Sequence, residues 1–180
     1  MKLYYFAYGS NMCTGRLRAR VPSARPVFIT RLHRHTLKFH KRSEKDRSAK
    51  ADAEYTGRET DVVWGVIFEI DAAQKQRLDE AEGLGRGYEE KSISLKDCTG
   101  QTYEASMYFA SQTYKDADLR PYSWYLRFVV EGANQHGLPP DYVALLERVE
   151  TSEDRDRARD ARERAISCVE HKDLDLASGR

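Results

Sequence analysis

Near the N-terminus an aromatic run, KLYYFAY at residues 2–8, stops abruptly at Gly9-Ser10-Asn11. A strand ending in that tripeptide leaves several backbone N–H groups unpaired and converging. Such a nest binds a carboxylate, a phosphate or a developing oxyanion without any side-chain charge. Gly9 would let the ligand approach the main chain closely. An ordinary turn capped by Ser10 or Asn11 has the same composition, and residues 8–11 alone do not separate the two.

Glu82 is the second candidate. Residues 71–82 read as a helix, with Asp71 as N-cap and Gly83 just past its end. Glu82 lies four positions after Leu78, so the two share a face. A carboxylate on an apolar face at a helix C-terminus is disfavoured in its charged form by desolvation and by the dipole, which suits an acid/base group working near neutrality. A frayed, solvated helix end is the other reading of the same position. Tyr88 follows the Gly-rich residues 83–87, and Tyr125 falls in a helical segment over residues 121–133; both offer hydroxyls that could orient a substrate. With 11 tyrosines in the chain, a wet tip on an apolar body is the commoner use.

Other chemistries are excluded more easily. His33 and His35 read as one strand face, but Arg31, Arg34 and Lys38 surround them with positive charge, so no metal site is expected. The chain has no P-loop, no G-x-G-x-x-G after a strand and no G-x-S-x-G elbow. Cys13, Cys98 and Cys168 are odd in number and lack a C-x-x-C pair, which argues for reduced thiols and a cytoplasmic setting. The longest run free of Asp, Glu, Lys and Arg is residues 3–15, shorter than the roughly 18 apolar residues of a spanning helix.

Strands are expected over residues 2–8, 26–32, 36–41, 61–70, 88–96 and 101–110, the fourth (DVVWGVIFEI) being the most apolar. Residues 14–20 read as a short helix and residues 45–51 as a polar connection. Helices follow over residues 121–133 and 140–149, where Tyr142, Leu145, Leu146 and Val149 form one stripe. A charged segment from about residue 152 reads as a solvated helix with acid-before-base pairs, Glu153/Arg157 and Asp160/Arg164, and residues 171–180 as a fraying end. Strands first, one helix inserted, then helices make an α+β or closed-barrel arrangement. Net charge is +1 over 180 residues, yet residues 11–50 carry +10 and the remainder −9.

Phe6-Ala7-Tyr8-Gly9-Ser10-Asn11-Met12 resembles the signature of the γ-glutamylcyclotransferase-like (AIG2-like) superfamily. Leu78-Asp79-Glu80-Ala81-Glu82-Gly83 resembles the segment that supplies its catalytic glutamate. Gly132-Ala133, then Gly137-Leu138-Pro139 and Tyr142, resembles the helical region of the γ-glutamylcyclotransferase branch. The resemblance implies a small mixed β-barrel with flanking helices over residues 1–150, followed by a charged helical extension over residues 151–180. It implies that Glu82 is the catalytic acid/base, and that Ala7, Tyr8, Gly9, Ser10, Asn11, Tyr88 and Tyr125 contact substrate. Asn11 stands where the glutathione-specific branch has Leu.

The implied reaction is attack of a γ-glutamyl α-amine on its own γ-carbonyl, releasing 5-oxoproline and a free amine or amino acid. It calls for no metal and no cofactor. Two rivals keep the fold: a non-catalytic γ-glutamyl or small-molecule binder, and a nucleic-acid module using the basic residues 11–50, which a solvated sheet face explains more simply. The charge asymmetry would also steer an anionic substrate or join subunits head to tail in a homodimer.

Overall fold

The computed structural model describes residues 1–168. Seven strands and five α-helices follow the chain as β1 (Lys2–Ala7), α1 (Thr14–Arg20), β2 (Arg25–His33), β3 (His35–Arg42), β4 (Ala49–Tyr55), β5 (Val62–Asp71), α2 (Lys75–Glu82), β6 (Tyr88–Lys96), β7 (Thr102–Ala110), α3 (Ser123–Gln135), α4 (Pro140–Glu147) and α5 (Arg157–Arg164). Five strands form one sheet in the order β2-β5-β1-β7-β6, while β3 and β4 pair separately. All ladders are antiparallel except β1 with β7.

The apolar run of β5 is central as its composition predicts. Val63, Val66, Ile67, Phe68 and Ile70 are all buried, so both faces of the strand are covered. Beside it β1 buries Tyr5, Phe6 and Ala7 and delivers the chain to Gly9, which is half-buried beside Ala51 and Tyr125. Asp71 accepts from the Ala73 N–H and opens a short 3-10 turn that leads into α2. Gly83 closes α2 at φ 75°, a left-handed conformation that glycine adopts without strain.

Several expectations are corrected. The large sheet is not closed: no ladder joins β2 to β6 among the described residues, although the Thr30 hydroxyl donates to the Lys96 carbonyl at 2.9 Å. "Barrel" is therefore too strong, and the architecture is a mixed α+β fold with an open sheet, a separate hairpin and flanking helices. The polar connection at residues 45–51 runs into β4, an Ala- and charge-rich strand of low intrinsic propensity that forms because β3 pairs with it. His33 and His35 do not share a strand, because Arg34 at φ 63° turns the chain between β2 and β3. Cys13 and Cys168 are joined in a disulfide, correcting the expectation of three reduced thiols; Cys98 is free and exposed. No described helix is long and apolar enough to cross a membrane.

The charged segment after residue 150 is anchored to the fold at several points, although α5 itself buries no residue and stays largely solvated as its composition predicts. Asp154, fully buried as a side chain, accepts from Trp124 Nε1 of α3 at 2.9 Å and takes both nitrogens of the Arg159 fork. The Arg16 guanidinium of α1 lies 2.6 Å from Glu163, and Arg127 of α3 donates to the carbonyls of Glu163 and Ile166. Within α5, Asp160 and Arg164 pair at 2.8 Å as their spacing predicts. The expected fraying end, residues 171–180, lies outside the described residues.

Hydrogen bonds from Arg159 and Trp124 hold the Asp154 carboxyl down at about 2. A folded-state value below the ordinary one stabilises the fold above pH 4, and that contribution disappears as pH falls through about 2. Asp154→Asn should therefore cost about 1.5–3 kcal/mol near neutrality, the range for hydrogen bonds to a charged group. Thermal melts of both chains should converge between pH 4 and pH 2; a constant gap across that window would contradict the assignment. Thiol titration of the unfolded chain should find one reactive group before reduction and three after.

Candidate active site

The Gly9-Ser10-Asn11 segment forms a single 3-10 turn over Ser10–Met12, with Met12 N–H donating to Gly9 and Cys13 N–H donating to Ser10. The N–H groups of Gly9, Ser10 and Asn11 have no acceptor among the described residues. The turn is present, and its leading N–H groups are left unpaired, as a nest requires. Two neighbours press the turn into place. A Cβ on Gly9 would meet the Ala51 Cβ at 3.0 Å and the Tyr125 hydroxyl at 3.3 Å. A Cβ on Gly132 of α3 would come within 2.5 Å of the backbone of Met12 and Cys13.

Asn11, almost fully buried, ties this turn to the end of α2. Its amide nitrogen donates to Glu82 Oε1 at 2.5 Å and to the Tyr5 hydroxyl at 3.2 Å, while its carbonyl oxygen accepts from Arg20 Nη1 at 2.9 Å. Arg20 itself lies 3.6 Å from the same Glu82 oxygen. Glu82 is therefore neither frayed nor alone on an apolar face. A guanidinium and an amide N–H complement its carboxylate form, and Oε2 has no partner among the described residues.

Glu82, Tyr5, Tyr8, Gly9, Ser10, Asn11, Ala51, Tyr88, Tyr108 and Tyr125 line one small inner cavity. Of the residues expected from sequence, Ala7 alone stays outside it, fully buried in the core at the end of β1. The tyrosines are structural struts as well as lining. Tyr88 donates to the Ala51 carbonyl at 2.5 Å, Tyr125 accepts from the Ala51 N–H at 3.0 Å, and Tyr8 donates to the Tyr108 carbonyl. Burial pushes the Tyr5, Tyr8, Tyr88 and Tyr125 hydroxyls above their ordinary range, so all four are neutral at physiological pH.

The inner cavity adjoins a wider cleft of about 400 Å³ that shares Ser10, Glu82, Tyr88 and Tyr125 with it. Part of the cleft wall comes from α5 through Arg159, Arg162 and Glu163. Five of its cations, Arg16, Arg20, Lys41, Lys45 and Lys50, come from the basic residues 11–50. Lys50 pairs with Asp46 at 2.7 Å over the faces of Trp124 and Tyr125, and burial still pulls it down to about 8. His40, Asp52 and Glu54 also come together, in a grouping the sequence analysis did not identify. The Lys115 ammonium lies 3.2 Å from Asp52 and 3.1 Å from Glu54, and Asp52 also accepts from the Ala110 N–H, so this cluster bolts the hairpin to β7.

Comparison with known proteins gives the family. Murine γ-glutamylcyclotransferase is 31% identical over 171 residues, covering 93% of this chain and 89% of its own. The chain belongs to the γ-glutamylcyclotransferase family. The human γ-glutamylcyclotransferase is 30% identical over 152 residues, covering 83% of this chain and 79% of its own. The AIG2-like family profile matches residues 62–146. A solved structure described as γ-glutamyl cyclotransferase superposes with a TM-score of 0.76 at 25% identity, covering 98% of both chains.

Arg20, Lys41, Tyr5 and Tyr108 escaped the sequence reading. Arg20 carried a faint signal: it ends a helix that starts within three residues of the signature turn, so it must return close to it. Because α3 touches the backbone of Met12 and Cys13 at Gly132, Gly132→Ala must displace either the helix or the turn. It should lower stability by about 1–3 kcal/mol, the usual cost of overpacking. A denaturant midpoint unchanged from the parent chain would show that this contact is slack.

Proposed function

We propose that this chain cleaves γ-glutamyl amides or γ-glutamyl amino acids by intramolecular cyclisation, releasing 5-oxoproline and an amine or amino acid. Membership of the γ-glutamylcyclotransferase family supports the reaction class. The observation that carries the residue assignment is that Glu82, whose Oε2 has no partner among the described residues, lines the same cavity as Gly9, Ser10 and Asn11, whose N–H groups are unpaired there.

In this reading the substrate binds in the cleft of about 400 Å³, with its γ-glutamyl half at the mouth of the inner cavity where Ser10, Glu82, Tyr88 and Tyr125 line both. The backbone N–H groups of residues 9–11 hold its carboxylate or the oxyanion that forms on the γ-carbonyl. Glu82 Oε2 removes a proton from the α-ammonium, and the freed amine attacks the γ-carbonyl carbon. The five-membered ring closes, Glu82 returns the proton to the departing nitrogen and the C–N bond to the leaving half breaks. Glu82 then takes the surplus proton from the ring nitrogen and passes it to the released amine, leaving a neutral lactam and an ammonium. Nucleophile and electrophile belong to one molecule, so folding the substrate is a large lever, with effective molarities of about 10⁵–10⁸ M in well-oriented cases. The braced tyrosines supply rigid walls for that fold. A cytoplasmic setting remains part of the proposal, although the Cys13–Cys168 disulfide removes the argument from reduced thiols.

Glu82→Gln keeps the shape of the side chain and removes its basicity. It should reduce 5-oxoproline release by at least about 10²-fold, the lower range for positioned proton transfer, with the melting temperature changed little. Release at the parent rate from a panel of γ-glutamyl amino acids and amines would remove Glu82 from its role.

A further inference from the structure

The cleft outside the inner cavity holds cations that the reaction above does not use. Arg16, Arg20, Lys50 and Arg159 each have a carboxylate partner, namely Glu163, Glu82, Asp46 and Asp154. Lys41, Lys45, Arg86 and Arg162 line the same cleft with no ion-pair partner among the described residues. Lys41 is the telling one. It is only 5% exposed, at the C-terminal end of β3, and its ammonium sits 4.5 Å from the Tyr88 ring centroid and 6.0 Å from that of Tyr114. Gly87 makes room for it: a Cβ there would lie 2.7 Å from Lys41 Cε and 3.0 Å from Nζ.

Glu82, Glu44 and Asp46 contribute to the field at Lys41 without pairing with it directly, and a buried ammonium lacking a direct partner is costly even when aromatic faces recover part of that cost. Burial duly lowers the Lys41 ammonium below its ordinary range. An anion delivered by a ligand would complete the pairing. Glu82 and Tyr88 also line this cleft, so a substrate with its γ-glutamyl half at Glu82 would extend its leaving half into it.

We infer that Lys41, with Lys45, Arg86 and Arg162 around it, forms an anion subsite for the leaving half, selecting γ-glutamyl substrates whose leaving half is an acidic amino acid. The subsite deepens the function proposed above and rests on it. Lys41 takes one carboxylate inside the cleft. The remaining cations take the second, so a dicarboxylate leaving half neutralises more of the surplus than a neutral side chain does, and an uncharged amine neutralises none.

The test compares γ-glutamyl-aspartate, γ-glutamyl-alanine and γ-glutamyl-methylamine in the parent chain, in Lys41→Met and in the Arg86→Ala/Arg162→Ala double variant. The parent should favour the substrates in that order by kcat/KM. Lys41→Met should raise KM for both amino-acid substrates by about tenfold or more, as expected for loss of one charge-assisted hydrogen bond, and leave the methylamide unchanged. The double variant, at two exposed positions, should erase the preference for aspartate over alanine. That preference should also weaken with added salt, since rim charges are screened. Equal kcat/KM for aspartate and alanine leaving halves would overturn the subsite while leaving the reaction intact. If no γ-glutamyl compound yields 5-oxoproline, the reaction fails instead, and ligand-detected NMR titration with free aspartate and alanine reads the subsite without turnover. Tighter aspartate binding that Lys41→Met abolishes would then still support it, and equal binding would overturn it. Should Lys41→Met fail to fold, the double variant and the salt series decide alone.

Discussion

Everything at the candidate site hangs on the hydrogen bonds of one buried side chain, Asn11. It meets Glu82 and Tyr5 through its amide nitrogen and Arg20 through its oxygen, so three separate elements converge on a single planar group. An amide suits this place because it offers both a donor edge and an acceptor edge. An aspartate would set its negative charge against Glu82, and a leucine would leave Arg20, Tyr5 and Glu82 without a common partner. Glu82, the last residue of α2, is thus held from outside its helix by a residue 71 positions earlier in the chain.

Around that junction the fold works by close approach. Gly132 lets α3 lie against the backbone of the signature turn, and Gly9 lets the turn lie against Ala51. Ala51 in turn bonds Tyr88 and Tyr125, so the hairpin β3–β4 braces tyrosines from the sheet and from α3 together. Small residues dominate these contacts because the main chain itself is the working surface. A bulky side chain would separate the backbone donors from the cavity they serve.

Charge is organised on a larger scale by the same packing. The basic residues 11–50 divide: Arg25, Arg31, Arg34, Lys38, Arg42 and Arg47 stay exposed, as a solvated face requires. Five others turn toward one cleft, and the acidic remainder of the chain neutralises part of that field through Glu82 on α2 and Glu163 on α5. A sequence of almost zero net charge thereby holds a cationic mouth, the electrostatic shape suited to an anionic small molecule.

Elements whose patterns are local were legible along the chain. The β5 apolar run, the Asp71 and Gly83 boundaries of the helix segment bearing Glu82, and the Gly9–Asn11 break after β1 all follow from propensity, capping and periodicity, which act over a few residues. The family signature likewise pointed to Glu82 and the turn together. Tertiary structure alone decided the rest. β4 exists because β3 pairs with it, and the sheet stays open because its edge strands are not laddered. The segment after residue 150 is anchored through Asp154 and Glu163, which composition had marked for solvent. Arg20 and Lys41 enter the site by the same route: a charged residue's value there is set by which groups it meets across the fold, and neither charge nor spacing along the chain records that meeting.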